Sequence, residues 1–395
     1  MNLSSKLDRL RFQATAQDTE SSGPGPRPGI PRAVPGRPVP AEPREAALAD
    51  ALGADDLGNG LLLRSREYLL PPDGSGNKGL CLLPEVCSLS DSDPDWVYID
   101  TETTGLSGGS GNLAFMVGAA RYTGQRRLEV RQYVLASFAA ESCMLRELLS
   151  WVGPNAVLVS YNGKCFDLPL LATRQKMQRI EGSLGCLRHL DLMYGVRRAY
   201  RSHWPDCRLQ TAEKRLLGLY RKDDLPGSEA PAAWQAWLRW AATSQLARVI
   251  AHNYQDVVSL ALLHRRLPAV YAGNGLPGVN HAAIGAAWRQ AGQDERARQV
   301  WESAGDLLDD HGSLQLAGLY RRLGDWSRAE VIWLRLHASG NNSAALALSK
   351  LYEHRIRDFR KAIQFAACCE HAEREPRFAR LQDKMGGNLQ LPLLI

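Results

Sequence analysis

The sequence predicts an α/β domain, a mixed sheet flanked by helices, followed by an all-α domain of helical repeats. Three observations carry this. Strand-like runs in the first half meander and then alternate with helical patterns. The last third repeats its aromatic residues at a fixed interval. A proline-rich stretch precedes the first foldable segment. The boundaries follow: residues 1–44 as a disordered, Pro-rich segment; 45–270 as the α/β domain, with a motif-bearing core at about 95–268; and 281–385 as the repeats.

Gly23 to Arg44 holds eight of the 21 prolines. Proline fixes φ and removes backbone donors, so this stretch reads as a partly polyproline linker. From Glu45, EAALADALGADDLGNG reads as a short helix ended by glycine. LLLRSREYLL is a strand, and PPDGSGNKG a turn. Trp96–Ile99 suits a buried strand. AFMVGAARY and LEVRQYVLAS are two more, joined by the hairpin turn TGQRR. In the latter, Leu128, Val130, Gln132 and Val134 share one face. A helix at about Glu141–Trp151, a strand at Ala156–Tyr161 and a helix near Leu168–Met177 complete the alternation.

In the last third, Trp288, Tyr320 and Tyr352 are spaced 32 apart, and Trp301, Trp333 and Phe365 repeat at the same interval. Gly292 matches Gly324, and Ala297 matches Ala329. Two coincident series at one period mark paired helices, each unit burying its apolar stripe against the next. The pattern resembles tetratricopeptide repeats, with their roughly 34-residue period shortened.

Composition narrows the function classes. A hydrophobic fraction of 45% and a charged fraction of 23% are those of a globular protein. No apolar run reaches the roughly 20 residues of a membrane span. Lys6, Asp8 and Arg9 interrupt the only candidate signal core, so a cytoplasmic location is expected. Eight scattered cysteines with no Cys-x-x-Cys pair fit a reducing compartment and no structural zinc site.

The chemistry starts at WVYIDTETTGL, Trp96 to Leu106, where an apolar run ends on Asp100 and Glu102. Residues two apart on a strand point the same way, so the two carboxylates face one place. Adjacent buried anions resist ionisation together. A divalent cation relieves that, and oxygen-only donors favour magnesium or manganese. VLVSYNGKCFDLPLL, Val157 to Leu171, is a second apolar strand ending in polar residues, with Asn162 and Asp167 in the turn. VIAHNYQDVVSLALLHRRL reads as a helix on which His252 and Asp256, four apart, share a face. Four carboxylates and a histidine thus come from three separated segments. Asp191, in RHLDLMYGV, is a fifth acid at the end of an apolar stretch, open between a helix cap and a supporting role.

IDTETTGL, SYNGKCFDLPLL and HNYQDVVSL resemble the three exonuclease motifs of the DEDD, or DnaQ-like, superfamily of 3′-to-5′ exonucleases. CRLQTAEKRLLGL followed by DLPGSEAP is similar to the YprB-like branch of ribonuclease-H-like proteins. The resemblance covers roughly Gly60 to Pro268. It implies a ribonuclease-H-like sheet and a site in which Asp100, Glu102, Asp167 and Asp256 hold two divalent ions, Mg²⁺ or Mn²⁺, about 4 Å apart. It implies hydrolysis of terminal phosphodiesters of DNA or RNA, with His252 orienting or deprotonating the attacking water. It also places Thr103, Leu106 and Asn162 against the terminal nucleotide. The histidine departs from the pattern. The histidine-type branch has it five residues before the last aspartate, where this chain has Ala251. His252 fills the position at which the tyrosine-type branch has tyrosine.

From Leu171 to Lys222 the chain holds 12 Lys/Arg against four Asp/Glu, a larger excess than the net +6 of the whole chain. Phosphate neutralisation is one use of such a belt, and a solvated helix face is the other. Tyr194, Tyr200 and Trp204 interleave with its arginines and are open between base stacking and core packing. Two further functions compete with an exonuclease. One is a nucleic-acid-binding scaffold with a weak or decayed site. The other is an adaptor that docks a protein partner on its repeats.

Overall fold

The computed structural model describes residues 41–385 apart from 72–76, 90–93, 106–110, 125, 223 and 276, so the stretch from Gly23 to Pro40 lies outside the described residues. The first helix, α1, spans Ala41–Leu52. It begins at Ala41 rather than Glu45 because Pro43 falls in its first turn, where a missing N–H costs nothing.

Seven strands form one sheet: β1 (Asp55–Asp56), β2 (Leu61–Leu69), β3 (Asp95–Thr103), β4 (Ala114–Tyr122), β5 (Arg127–Leu135), β6 (Ala156–Ser160) and β7 (Arg188–Asp191). Their order is β1-β2-β5-β4-β3-β6-β7. The first five pair antiparallel, while β6 and β7 extend the sheet in parallel beside β3. The expected meander and the later alternation therefore meet at β3. The two-residue β1 and the four-residue β7 carry too little periodicity to be read from sequence.

Alternate residues of β3 feed two cores. Val97 and Ile99 pack with Val117, Tyr133 and helix α2 (Glu141–Val152). Trp96 and Tyr98 pack on the other face with Ala120, Val130 and the long helix α7 (Ser244–Tyr271). Asp100 and Glu102 continue the second set, so β3 aims them towards α7. The register shifts between Glu102 and Thr103, a bulge just after the second acid.

Between these elements lie α3 (Asp167–Met177), α4 (Leu192–Tyr200), the short α5 (Leu209–Ala212) with a π-turn at Glu213–Leu217, and α6 (Ala230–Trp240). Helix α6 seals one end of the sheet. Trp234 and Trp237 donate their indole N–H groups to the carbonyls of Leu135 and Ala136, at 2.7 and 2.9 Å.

Helix α7 crosses the sheet at Gly118, directly opposite Asp100 in the β3–β4 register. A Cβ at 118 would land on the Asn253 side chain, so the absence of one sets how closely the helix approaches. The helix also runs through Pro268 to Tyr271 rather than ending at the proline. Proline removes one bond of the last turns. The fully buried Val270 and Tyr271 hold those turns in the core.

The C-terminal region is a series of paired helices: α8 (His281–Gln290), α9 (Asp294–Ala304), α10 (Asp310–Arg322), α11 (Trp326–Ala338), α12 (Asn342–Leu351), α13 (Phe359–Ala367) and α14 (His371–Lys384). The periodic Trp288, Trp301, Tyr320, Trp333 and Tyr352 are buried, as the spacing implied. No apolar gap separates this region from the sheet. One hydrophobic core runs from Tyr98 through α7 to Trp288, Trp333 and Phe378. The Trp288 indole donates to the Tyr271 carbonyl at 3.0 Å, and Asn280 N donates to Ala199 O at 2.8 Å.

Candidate active site

The structure brings Asp100, Glu102, Asp167, Asp256 and His252 to one place, where the C-terminal half of β3 meets the start of α3 and the middle of α7. Glu102 and Asp256 are each 8% exposed, so neither is an ordinary surface acid. Burial pushes the Asp100 carboxyl well above its usual range. Asp256, Asp167 and Glu102 push it further, and only the Asn253 hydrogen bond opposes them. Glu102 rises to about 8 through burial and then through Asp256, Asp167 and Asp224. Burial lifts Asp167 to about 6 against the Thr101 hydrogen bond. Asp256 is raised by burial although His252 and Arg221 pull it down. Four carboxylates within mutual repulsion form a sink for positive charge.

Three of these acids, Asp100, Asp167 and Asp256, also have protein partners. Asn253 Nδ2 donates to Asp100 Oδ2 at 2.9 Å. Asn253 Oδ1 accepts from Gln132 Nε2 at 3.0 Å, and Gln132 Oε1 accepts from Arg64 at 2.7 Å. Thr101 donates to Asp167. His252 sits between two acids, with Nδ1 2.6 Å from Asp224 Oδ1 and Nε2 3.2 Å from Asp256 Oδ2. The guanidinium of Arg221 grips the buried Glu213 with two nitrogens, at 2.7 and 2.6 Å. It also contacts Asp224 at 3.2 Å and bonds Asp256. His252 and Arg221 hold Asp224 below the usual carboxylate range although burial alone would raise it.

The donor chemistry fits a divalent cation: oxygen ligands only, buried, and carrying more negative charge than their neighbours cancel. Among the described residues no three acidic, histidine or cysteine side chains are placed to hold an ion as they stand, and Asp100, Asp167 and Asp256 turn oxygens to Asn253, Thr101 and Arg221. Asp100, Glu102, Asp167 and Asp256 are the residues that would hold the ion.

The neighbouring positions divide. Asn162 adopts φ +69 and donates its N–H to Asp191 Oδ1 at 2.7 Å. Thr103 donates to the Gly105 carbonyl at 2.8 Å. Leu106 lies outside the described residues. Asp191 resolves as both of its alternatives: it caps α4 through Met193 N, and it accepts from Asn162 N and Lys164 N, fixing the loop that delivers Asp167. The basic belt is partly consumed internally. Arg174 pairs with Glu141, Arg221 with Glu213, and Arg198 with Glu85 and the Tyr271 hydroxyl. Tyr200 and Trp204 stack on each other in the core, while Tyr194 is exposed.

Sequence reasoning missed Asn253, Gln132, Asp224 and Arg221. Asn253 lies between His252 and Tyr254 in a helix whose apolar stripe drew attention elsewhere. A signal was present for Asp224, in the DLPGSEAP segment that follows the belt.

A family model of the RNase_H superfamily, RNase_H_2, matches residues 97–268. Among curated proteins, the uncharacterized protein YprB of Bacillus subtilis (strain 168) is 32% identical over 308 residues. The match covers 73% of this chain and 74% of that protein. Among solved structures, the family B DNA polymerase from the hyperthermophilic archaeon Pyrobaculum calidifontis superposes with a TM-score of 0.37 at 14% identity. That match covers 58% of this chain and 29% of the polymerase, so the chain spans less than a third of the polymerase's length.

Proposed function

The chain belongs to the family of YprB and carries an RNase_H superfamily domain, and from that premise we propose that it is a metal-dependent 3′-to-5′ exonuclease acting on the terminal phosphodiesters of DNA or RNA. The carrying observation is the cluster of Asp100, Glu102, Asp167 and Asp256, delivered by three elements to one buried place where burial, and then Asp256 and Asp167, raise the affinity of Asp100 and Glu102 for positive charge. Ribonuclease-H-like nucleases generally use divalent ions, and a bound Mg²⁺ or Mn²⁺ would supply charge neutralisation and a more acidic water.

The protein groups have distinct tasks. The four carboxylates hold the cation and repel a misplaced phosphate. His252 takes the proton of the attacking water at Nε2, and Asp224 holds Nδ1 so that this nitrogen stays turned to the site. Asn253, Gln132 and Arg64 keep Asp100 in place from behind. Thr103 and Asn162 contact the last nucleotide.

The test is hydrolysis of DNA and RNA strands labelled at either end, with magnesium or manganese. Release of mononucleotides from the 3′ end, lost in Asp100→Ala, is expected. Product from neither polymer, or full activity in Asp100→Ala, overturns the assignment. A second reading, a nucleic-acid-binding protein with little catalysis, is favoured by one observation: Arg221 already bonds Asp256, where a cation would lie. Tight binding without hydrolysis in either metal would select it.

A further inference from the structure

We propose that the helical region carries a docking site for an acidic segment of a protein partner, in a cavity between α11 and the C-terminal end of α12. The proposal goes beyond the nuclease reading and does not rest on it.

The cavity, of about 210 Å³, is lined by Arg321 from α10, Trp326 and Trp333 from α11, Lys350 from α12, and His354 and Arg355 from the π-turn that follows. Among the described residues no carboxylate lines it. Arg321, Lys350 and Arg355 make no ion pair among the described residues, and the Arg355 guanidinium lies over the Trp326 ring at 5.8 Å. His354 has the buried Glu353 at 3.5 Å, but Arg377, Arg380 and Lys384 already hold that acid. The other acids close by in sequence are engaged too. Asp325 caps α11 and pairs with Arg328 at 3.4 Å, Glu330 accepts from the Tyr352 hydroxyl, and Asp358 caps α13.

The same junction one repeat earlier is different. Shifted by 32 residues, Trp301 stands in the place of Trp333 and Arg289 in that of Arg321. Asp294, however, stands where Trp326 does, and Arg322 where His354 does. Those two pair at 3.1 Å. Gly318 and Leu323 occupy the places of Lys350 and Arg355. The later junction has therefore lost its acid and gained two cations. A carboxylate from outside restores there the pairing that the chain makes for itself one repeat earlier.

Size and charge select a peptide. The volume is below the roughly 300–1,000 Å³ of small-molecule sites, so it admits side chains of a longer ligand rather than a whole one. From His281 to Lys384 the chain carries 16 Lys/Arg against 14 Asp/Glu, so the positive charge is local, where a polynucleotide asks for a belt. Leu323 and Ile356, next in the chain to the cationic lining, are 59% and 46% exposed. Tryptophan and arginine beside such apolar surface are the side chains that anchor protein partners. The occupant is an extended segment whose Asp or Glu meets Lys350 and Arg355 while an apolar neighbour packs on Trp326.

The experiment selects phage-displayed random 12-residue peptides on the full chain and, in parallel, on Lys350→Gln/Arg355→Gln. Both substituted side chains are exposed, so the variant should melt like the wild type. Peptides retained by the wild type alone should be enriched in Asp or Glu beside an apolar residue. The best of them, fluorescein-labelled, should bind at least tenfold more weakly to the double variant, and its Asn/Gln counterpart at least tenfold more weakly to the wild type. Trp326→Asp should weaken binding more than Trp326→Ala, because the new acid satisfies the cations within the chain.

No acidic enrichment, or equal binding of the acidic and amide peptides, would overturn the proposal. So would undiminished binding by the double variant. Tighter binding of a labelled oligothymidine 12-mer, lost in the same variant, would assign the cavity to nucleic acid instead.

Discussion

Asp224 Oδ1 lies 2.6 Å from His252 Nδ1, on the far side of the ring from Asp256. The imidazole is thereby fixed between an orienting acid and the carboxylate cluster. His252→Ala should lower turnover by roughly 10²–10⁴-fold with little change in melting temperature. Asp224→Asn should lose part of that factor, and the double variant little more than His252→Ala alone. Additive losses in the double variant would show that the two residues act separately.

Arg221 is the residue whose removal should change stability and ion binding in opposite directions. Its guanidinium neutralises the buried Glu213 and bonds Asp256. Arg221→Gln should destabilise the ion-free protein by about 3–5 kcal/mol, as for a buried pair losing one partner. Saturating manganese should raise the melting temperature of Arg221→Gln by more than it raises that of the wild type. An equal rise in both would mean that Arg221 and the ion do not compete for Asp256.

Asp191 is buried and turned to the backbone, yet it should matter to rate. Its carboxylate accepts from three backbone N–H groups, those of Asn162, Lys164 and Met193. Asp191→Ala leaves them without that acceptor and should cost about 1–3 kcal/mol. Because the same loop carries Asp167, turnover measured well below the melting transition should fall at least tenfold, the scale on which ångström misplacements act. Wild-type turnover in a folded Asp191→Ala protein would restrict the residue to capping α4.

Glu353 gives a pH dependence remote from the site. It is 2% exposed, and Arg377, Arg380 and Lys384 approach it at 2.9, 2.8 and 2.8 Å. The Arg380 hydrogen bond leads the causes that hold its carboxyl down at about 2, from an ordinary 4.5. A depressed carboxyl stabilises the fold above its unfolded value and loses that contribution as pH falls through its folded value. The stability difference between wild type and Glu353→Gln, from urea titrations, should be full above about pH 4.5 and shrink towards pH 2. A difference that is flat across that window would mean the three cations do not stabilise the ionised form.

One hydrophobic core joins the helical region to the sheet, and the consequence is measurable. A chain ended at Tyr271 strips Trp288 from the face that Tyr271 and Val270 now bury. It should aggregate or melt well below the full chain, which should itself unfold in one calorimetric transition. Two resolved transitions would make the helices an independent unit.

What could be read from sequence, and what could not, divides along physical lines. Asp100 and Glu102 stood out because they end an apolar run, and Asp167 and Asp256 because their segments resemble exonuclease motifs. The central strands and the paired helices were legible because burial imposes their periods. Asn253 was not, since an amide among polar neighbours reads as surface. Its role depends on Asp100, 153 residues earlier, lying under it across Gly118. Arg221 read as part of a basic belt because only the fold brings it against Glu213 and Asp256. The helix beyond Pro268 was missed because a proline's local cost is visible in sequence and the packing that outweighs it is not.

Helix α7, 28 residues long, is about 42 Å of rod held at both ends. Asp256 lies near its middle, and Tyr271, walled by Trp288, at its C-terminal end. The span between them is about 22 Å. At that radius a tilt of about one degree at the Trp288 end moves Asp256 by about 0.4 Å, and under three degrees moves it by about 1 Å. An ångström at a reacting centre is worth about two orders of magnitude in rate. The helical region and the carboxylate cluster are thus joined by one arm, with Pro268 set between them.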